Sequence, residues 1–109
     1  MGWSYSVRLR DYDMAPREPG IYEIGFIREN VFNPVYIGKA DSSIHERLSK
    51  HYRGRGSREV KDYLLVRERD NLWCHWMQVS DPGYTEANLL NRFRIGRDGG
   101  LYRYNLRYE

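Results

Sequence analysis

Two tyrosines that lie fourteen positions apart each stand close to a glycine in a segment with the composition of a strand. Tyr22 ends Gly20-Ile21-Tyr22, and Tyr36 opens Tyr36-Ile37-Gly38. A phenol has an ordinary pKa of about 10, too high for a base at neutral pH, but nearby cations favour the phenolate. The glycines leave an uncrowded backbone for a ligand to approach. The pair is therefore a candidate for proton transfer, and two ordinary strand tyrosines are the alternative.

A second candidate pair lies on a predicted helix. Arg47 and His51 are four residues apart, so their side chains share one face, which flanks the apolar line through Ile44 and Leu48. Arginine can clamp a phosphate and neutralise the charge that develops on it. Histidine titrates near pH 6.5 and can shuttle a proton. The alternative for this pair is a solvated helix face.

Glu86 is the most distinctive single acid. Leu89, Leu90 and Phe93 follow it at helical spacing, so it belongs to a stripe that is predicted to face inward. A buried acid needs a base or a metal as its partner. One carboxylate with waters and a phosphate oxygen is a common way to hold Mg²⁺. The alternative is a first-turn glutamate that complements the helix dipole.

Turn and capping signals assign these residues to elements. Two strands, 21–27 and 35–39, are predicted to pair across turn residues 28–30 and 33–34, and a third strand spans 72–79. Ser43 and Glu46 form a capping box that opens the first helix, which ends at 54–56. Two more helices are predicted, over 57–67 and 84–95, the last after a turn at 81–83. The fold class is therefore α+β, a small and mostly antiparallel three-stranded sheet flanked by about three helices.

The length and the single cysteine limit the classes of protein. At 109 residues the chain is predicted to be one domain, 1–109, with an arm or edge strand at 1–18 and a core at 19–105. No apolar run is long enough for a membrane span, and the N-terminus lacks a signal-peptide pattern. Cys74 cannot form an internal disulfide, which favours a reducing compartment and a cytoplasmic location. Its neighbours Trp73 and Trp76 indicate a thiol packed inside a strand.

Arginine dominates the positive charge. Of eighteen basic residues fifteen are arginines, against fifteen acids, for a net charge of +3. Its planar fork grips phosphate with two hydrogen bonds. One cluster within twelve positions consists of Lys50, Arg53, Arg55, Arg58 and Lys61. The clustering favours a polyanionic partner, and a surface that only keeps the protein soluble is the alternative. The histidines lack zinc-ligand spacing, and no phosphate-binding glycine loop is present.

The order of these residues resembles the GIY-YIG nuclease family, in the form of a small stand-alone catalytic domain, over about residues 19–105. Gly20-Ile21-Tyr22 and Tyr36-Ile37-Gly38 match the two tripeptides of the family, and Lys39 matches the lysine that often follows the second. The other family positions are matched in order by Arg47, His51, Glu86 and Asn105.

The resemblance implies a divalent-metal-dependent endonuclease that hydrolyses phosphodiester bonds in DNA, of restriction, phage or mobile-element type. Tyr22 and Tyr36 would handle the attacking water, with Tyr36 favoured as the base because Lys39 is nearer to it in sequence. Arg47 would hold the scissile phosphate, and His51 would assist proton transfer. Glu86 would hold Mg²⁺, for which Mn²⁺ can substitute.

Further substrate contacts are expected from the arginine-rich loop and from two family positions, namely Lys39, Arg53, Arg55, Arg58 and Asn105. The expected partner is DNA, with no membrane, and cleavage of both strands by one site per chain favours a homodimer on DNA. One alternative is a non-catalytic nucleic-acid-binding module that retains the fold, because fold does not guarantee activity. Another is a structural protein that binds a second protein through its aromatic surface.

Overall fold

The computed structural model describes residues 2–56, 60–61 and 69–93, the side chains of 90–93 excepted. Its centre is an antiparallel sheet whose strands are β1 Val7–Arg8, β2 Gly20–Arg28, β3 Val31–Ala40 and β4 Trp73–Gln78. The order across the sheet is β1-β4-β2-β3. The α+β class is confirmed. The sheet has four strands and not the predicted three, because two residues of the N-terminal segment pair with β4.

Within the described residues, two α-helices accompany the sheet, α1 Ile44–Tyr52 and α2 Pro82–Phe93. A 3-10 helix, Leu9–Met14, follows β1, and a short 3-10 turn, Arg69–Asn71, precedes β4. The helix predicted over 57–67 lies outside the described residues apart from 60–61, and so does the predicted end of the third helix at 95. In the part of the chain that the structure describes, no helix combines the length and the apolar character needed to cross a bilayer.

The hairpin of β2 and β3 turns at Glu29 and Asn30, whose φ angles are 51° and 65°. Two central residues with positive φ match the type I′ turns whose twist suits a two-residue hairpin. The predicted turn at 33–34 is wrong, because Pro34 lies inside β3 beside a register shift between Ile24 and Gly25. A proline is tolerated at such a bulge, since a ladder hydrogen bond is already interrupted there.

The apolar core lies between the sheet and α1. Ser43 caps the helix by accepting a hydrogen bond from the Glu46 amide at 3.1 Å, which is one half of the predicted capping box. Ile44 and Leu48, one turn apart, are fully buried, as predicted. Burying each of these side chains contributes about 2 kcal/mol. Cys74 is buried in the same core, and burial raises the pKa of its thiol to about 12.

The N-terminal segment covers part of the opposite side of the sheet. The ring of Trp3 stacks on His75 with centroids 4.2 Å apart, and Phe32 contacts the same imidazole. His75 Nε2 bonds the buried Glu23 carboxylate at 2.5 Å, which offsets part of the cost of burying that acid. Ser4 also donates its amide to the Trp76 carbonyl at 2.8 Å. The segment is therefore docked on the sheet and is not a free arm.

Helix α2 begins at Pro82, two residues earlier than predicted. Asp81 caps it, because its Oδ1 accepts from the Tyr84 amide at 3.3 Å and its carbonyl accepts from the Thr85 amide at 3.1 Å. Proline suits the first helical position, where an amide would have no partner within the helix. Glu86 is consequently in the second turn, so complementing the helix dipole does not explain this carboxylate.

Candidate active site

Tyr22 and Tyr36 share the face of the sheet that packs against α1. The register partner of Tyr22 is Gly38 and that of Tyr36 is Ile24, so the two tyrosines are diagonal neighbours on adjacent strands. Gly38 is required because the Tyr22 ring lies over it. A Cβ added there would collide with the ring and hydroxyl of Tyr22. Gly20 is likewise packed against β4 and α1. Both glycines therefore make room for the protein's own atoms and not, as predicted, for a ligand.

The Tyr22 hydroxyl is sealed in the interior and bonds His51. Both side chains are fully buried, and Tyr22 Oη lies 2.6 Å from His51 Nε2. Burial raises the pKa of Tyr22 far above its ordinary value; Tyr36 and Glu86 add to the rise, whereas Arg47 opposes it. Burial, together with the Arg47 charge, lowers the pKa of His51 to about 3. At neutral pH the pair is a neutral phenol and a neutral imidazole.

His51 is buried because it belongs to the apolar stripe of α1. Ile44, Leu48 and His51 are spaced i, i+4, i+7, which places them on one helix face, and all three are fully buried. The prediction that His51 only flanks the apolar line is wrong, and the i+7 spacing was the signal that could have shown it. The main chain at Gly56 lies against the imidazole, where a Cβ would collide with Nδ1. A glycine after the helix thus lets the loop close over His51.

Arg47 lies on one flank of α1, beside both tyrosines. It is half-buried, and attraction to Tyr22 raises its pKa; Tyr36 and Asp41 act in the same direction. An arginine only donates, so the Tyr22 oxygen accepts from Arg47, and the phenolic proton is then donated to His51 Nε2. This assignment makes His51 the tautomer that is protonated at Nδ1. Because Arg47 is not fully buried, part of its fork remains accessible to a phosphate.

Tyr36 is the tyrosine of the pair that solvent can reach. It is partly exposed, and its ring packs edge-on against His51 with centroids 5.3 Å apart. Lys39 does not favour Tyr36 as the base, since positions 36 and 39 project from opposite faces of β3. The two phenols differ in burial, because Tyr36 is partly exposed and Tyr22 is buried. Access to water therefore favours Tyr36 as the base, the same tyrosine that the sequence favoured because of Lys39.

Asp41 is a site neighbour that the sequence analysis missed. Its carboxylate bonds Lys39 Nζ at 3.1 Å, and its charge also acts on Arg47. Lys39 therefore pairs with an acid that lies just beyond the end of its own strand, and its side chain is still about half exposed. An aspartate just before a helix is most often a turn residue, so its position in the sequence carries no functional signal.

Glu86 brings a carboxylate to this site from α2. It is half-buried and close enough to Tyr22 for its charge to act on that phenol. Among the described residues, no three His, Cys, Asp or Glu side chains form a cluster that could enclose a metal ion. Mg²⁺ keeps several waters and takes few protein ligands, so a single carboxylate is a sufficient donor. The donors therefore fit a magnesium ion held by Glu86 and do not fit a structural zinc site.

The other predicted substrate contacts lie around the end of α1 or outside the described part of the chain. Arg53 and Arg55 are exposed, and Arg53 donates to the Tyr12 hydroxyl at 3.3 Å. Arg58 and Asn105 are outside the described residues. The structure thus brings together Tyr22, Tyr36, Arg47, His51 and Glu86, with Lys39 at the margin.

Solved structures share this fold. The N-terminal GIY-YIG endonuclease domain of UvrC from Thermotoga maritima, bound to magnesium as its catalytic cation, is 28% identical, with a TM-score of 0.59 over 90% of this chain and 96% of that chain. A variant of that domain in which one asparagine is replaced by alanine, bound to its catalytic divalent cation, is 29% identical, with a TM-score of 0.56 over 91% and 96%. Neither a scan of protein-family models nor a search of curated proteins gave a match.

These structures also include variants in which single tyrosines are replaced by phenylalanine. One of them, bound to the catalytic divalent cation, is 27% identical to this chain, with a TM-score of 0.59 over 90% of it and 96% of the other. The four-stranded sheet, the two tripeptides on β2 and β3, and the agreement over nine-tenths of the chain identify a GIY-YIG domain. The fold and the two tripeptides thus support a GIY-YIG domain.

Proposed function

We propose that this chain is a divalent-metal-dependent endonuclease that hydrolyses phosphodiester bonds in DNA. The observation that carries the proposal is the convergence of two tyrosines, a histidine, an arginine and a carboxylate around the Tyr22 hydroxyl. The similar solved structures, which are endonuclease domains bound to a divalent cation, support the same assignment. A domain that only binds nucleic acid has no need of this arrangement.

In the proposed mechanism, Arg47 and Tyr36 are the groups that touch the substrate. The accessible side of the Arg47 fork binds the scissile phosphate and neutralises charge that develops in the transition state. Tyr36, partly exposed beside it, takes the proton of the attacking water, and the Arg47 charge stabilises the phenolate that forms. Tyr36 is therefore the proposed base.

Tyr22 and His51 act as positioning residues in this mechanism. Tyr22 is too well buried to meet water, and it stays protonated while its oxygen accepts from Arg47. His51, held neutral by burial, accepts the phenolic proton of Tyr22 and packs against the Tyr36 ring. The two buried groups hold Arg47 and Tyr36 in fixed positions relative to each other. Fixed positions favour the reaction because a well-aligned arrangement lowers its barrier.

Glu86 is the residue that we assign to the metal. When bound there, Mg²⁺ would stabilise charge on the phosphate and on the leaving oxygen. Mn²⁺ accepts the same oxygen ligands and is proposed as a substitute. The half-buried carboxylate keeps a place on the solvent side for waters and for a phosphate oxygen.

Contacts to DNA outside the scissile phosphate are proposed for the remaining basic and amide residues, which are Lys39, Arg53, Arg55, Arg58 and Asn105. The whole of 1–109 is proposed to act as one domain. Cleavage of both strands by one site per chain favours a dimer, so the proposed assembly on a cut duplex is a homodimer. The restriction, phage or mobile-element setting and the cytoplasmic location stay predictions from the sequence.

Conversion of supercoiled plasmid by the purified protein tests the proposal. Nicked or linear product is expected in Mg²⁺ or Mn²⁺ and none in EDTA. Glu86→Gln should lose at least 100-fold in rate, and Tyr36→Phe between about 100- and 10,000-fold, the usual contribution of a general base. Matched controls are Glu46→Gln, exposed on α1, and Tyr5→Phe, whose side chain is 95% exposed. Both controls should cut at the parent rate.

Two outcomes would contradict this assignment in different ways. Retention of DNA without cutting, in any metal, would show a nucleic-acid-binding module and not an enzyme. Full-rate cutting by Glu86→Gln would be consistent with an endonuclease but would show that another group holds the metal. Circular dichroism of each variant excludes loss of the fold as a cause.

A further inference from the structure

A second group of arginines surrounds the flank of α1 that faces away from Arg47. Three arginines are held by three aromatic rings, and we name this group the arginine–tyrosine surface, made of Tyr12, Arg17, His45, Tyr52, Arg53 and Arg69. Arg17 Nη2 bonds His45 Nε2 at 3.2 Å, and Arg53 Nη2 bonds the Tyr12 hydroxyl at 3.3 Å. The Arg69 guanidinium lies 5.4 Å from the centre of the Tyr52 ring. Segments far apart in the sequence thus meet here.

The aromatic rings of the surface form one continuous support. Tyr12 packs edge-on against His45 with centroids 5.5 Å apart and lies 6.0 Å from Tyr52. Ser49, on the same side of α1, interacts with the Tyr12 hydroxyl. Because each guanidinium already has a fixed neighbour, less side-chain entropy is lost when it binds an anion.

The three arginines of the surface are exposed. Arg17, Arg53 and Arg69 form no ion pair with a carboxylate in the part of the chain that the structure describes. Asp11 and Asp13 lie on the neighbouring 3-10 helix, yet neither is bonded to these guanidinium groups. The Asp13 charge acts on Tyr12 within the surface, but three arginines leave an excess of positive charge, which complements a polyanion such as a nucleic-acid backbone.

The position of the surface relative to Arg47 indicates which nucleic acid it suits. His45, which belongs to the surface and holds Arg17, lies about 160° around the helix axis from Arg47, so the two flanks are separated by the thickness of a helix, about 10 to 12 Å. The major groove of B-form DNA separates its two phosphate rows by a similar width, about 12 Å. The separation of the two flanks therefore matches two phosphates on opposite sides of the groove better than two neighbouring phosphates of one strand.

We propose that the arginine–tyrosine surface binds the phosphate backbone of duplex DNA, across the groove from the phosphate that Arg47 holds. This inference rests on the proposed endonuclease function, because it places the substrate of that site. Arg53, already predicted as a substrate contact, would bind a phosphate other than the scissile one, and Arg17 and Arg69 are new substrate contacts.

The test measures binding of the full chain to a 30-base-pair duplex by fluorescence anisotropy in EDTA, at several salt concentrations. Each phosphate contact contributes about 0.9 to the slope of log K against log salt, so Arg17→Gln/Arg53→Gln/Arg69→Gln should lower the slope by about 2.7. Between 50 and 200 mM salt, the drop in affinity should become about 40-fold smaller than that of the parent. Arg28→Gln, exposed at the hairpin end of β2, is the charge-loss control and should leave the slope unchanged.

Two results would overturn the inference. The first is a triple variant that binds the duplex with the parent slope while keeping the parent melting temperature. The second is a triple variant whose salt slope falls below that of the parent on an RNA duplex of the same sequence but not on DNA. That result would assign the surface to RNA. Failure of the parent protein to bind any DNA would instead remove the proposed endonuclease function, so the two failures are distinguishable.

Discussion

Acid should destabilise this protein through His51. The folded chain holds this imidazole at a pKa of about 3, because it is buried and lies beside the Arg47 charge, whereas an unfolded chain has a histidine pKa of about 6.5. Above pH 6.5 the group is neutral in both states and has no effect. Below pH 6.5 only the unfolded chain binds the proton, so stability falls as the pH decreases toward 3.

The size of the effect follows from the two pKa values. Each pH unit below 6.5 costs about 1.4 kcal/mol, so the loss from His51 reaches about 3 kcal/mol at pH 4.5. That is a large share of the roughly 5 to 15 kcal/mol by which folded domains are stable. The buried His51 imidazole is therefore expected to make the largest contribution to the loss of stability at acidic pH.

Urea unfolding, followed by tryptophan fluorescence at pH 7.5, 6.5, 5.5 and 4.5, measures this loss in the parent and in His51→Gln. Glutamine does not titrate and can still accept a hydrogen bond from Tyr22. The parent should lose stability relative to His51→Gln by about 1.4 kcal/mol per pH unit below 6.5. His45→Gln, partly exposed on the same helix, is the control and should follow the parent.

Parallel stability curves for the parent and His51→Gln between pH 6.5 and 4.5 would refute the reasoning. They would mean that the folded chain accepts a proton on His51 as easily as the unfolded chain does. The buried pair of neutral phenol and neutral imidazole would then not exist, and the positioning role of Tyr22 would have to be abandoned.

Three further predictions concern single contacts. Gly38→Ala should cost about 1 to 3 kcal/mol in unfolding free energy, because its Cβ meets Tyr22, while Gly2→Ala, with no atom within 4 Å, should cost nothing measurable. Cys74 should react with a disulfide reagent only as fast as the chain opens, since its thiol is buried with a pKa of about 12, and a rapid reaction of the native protein would disprove the burial. Asp81→Ala should lower the unfolding free energy by about 1 kcal/mol in chemical denaturation through loss of the α2 cap; an unchanged midpoint would argue against capping.

Local patterns accounted for the elements whose signals are contained in a few neighbouring residues. The capping residue Ser43 and the buried pair Ile44 and Leu48 located α1, and the aromatic segment around Cys74 located β4. The predicted hairpin turn is confirmed at Glu29 and Asn30, which form it without a glycine. The one wrong detail of the hairpin has a local cause as well, because Pro34 has the composition of a turn residue but is accommodated inside β3 by a bulge.

Partners distant in the sequence were not predictable from such patterns. Strand β1 has only two residues, and nothing in its composition shows that it pairs with β4. The residue types of the site and their order were visible, but the different burial of Tyr22 and Tyr36 depends on which strand lies between two others. The pairing of Glu23 with His75 is equally non-local, since it joins β2 to β4 through residues that are 52 positions apart.

The strand order also dictates a chronology of folding. β2 and β3 are adjacent in the sequence, so they can pair within about 1 to 10 μs and bring Tyr22 and Tyr36 together early. β4 reaches β2 only after closure of a far longer loop, which slows its arrival. β1 pairs with β4 alone in the described sheet, so Val7 and Arg8 cannot join the sheet until β4 is in place, whereas the following 3-10 helix can already pack on α1. The first strand of the described sheet in sequence order is thus the one that joins the sheet last, after the two tyrosines of the site have already been brought together.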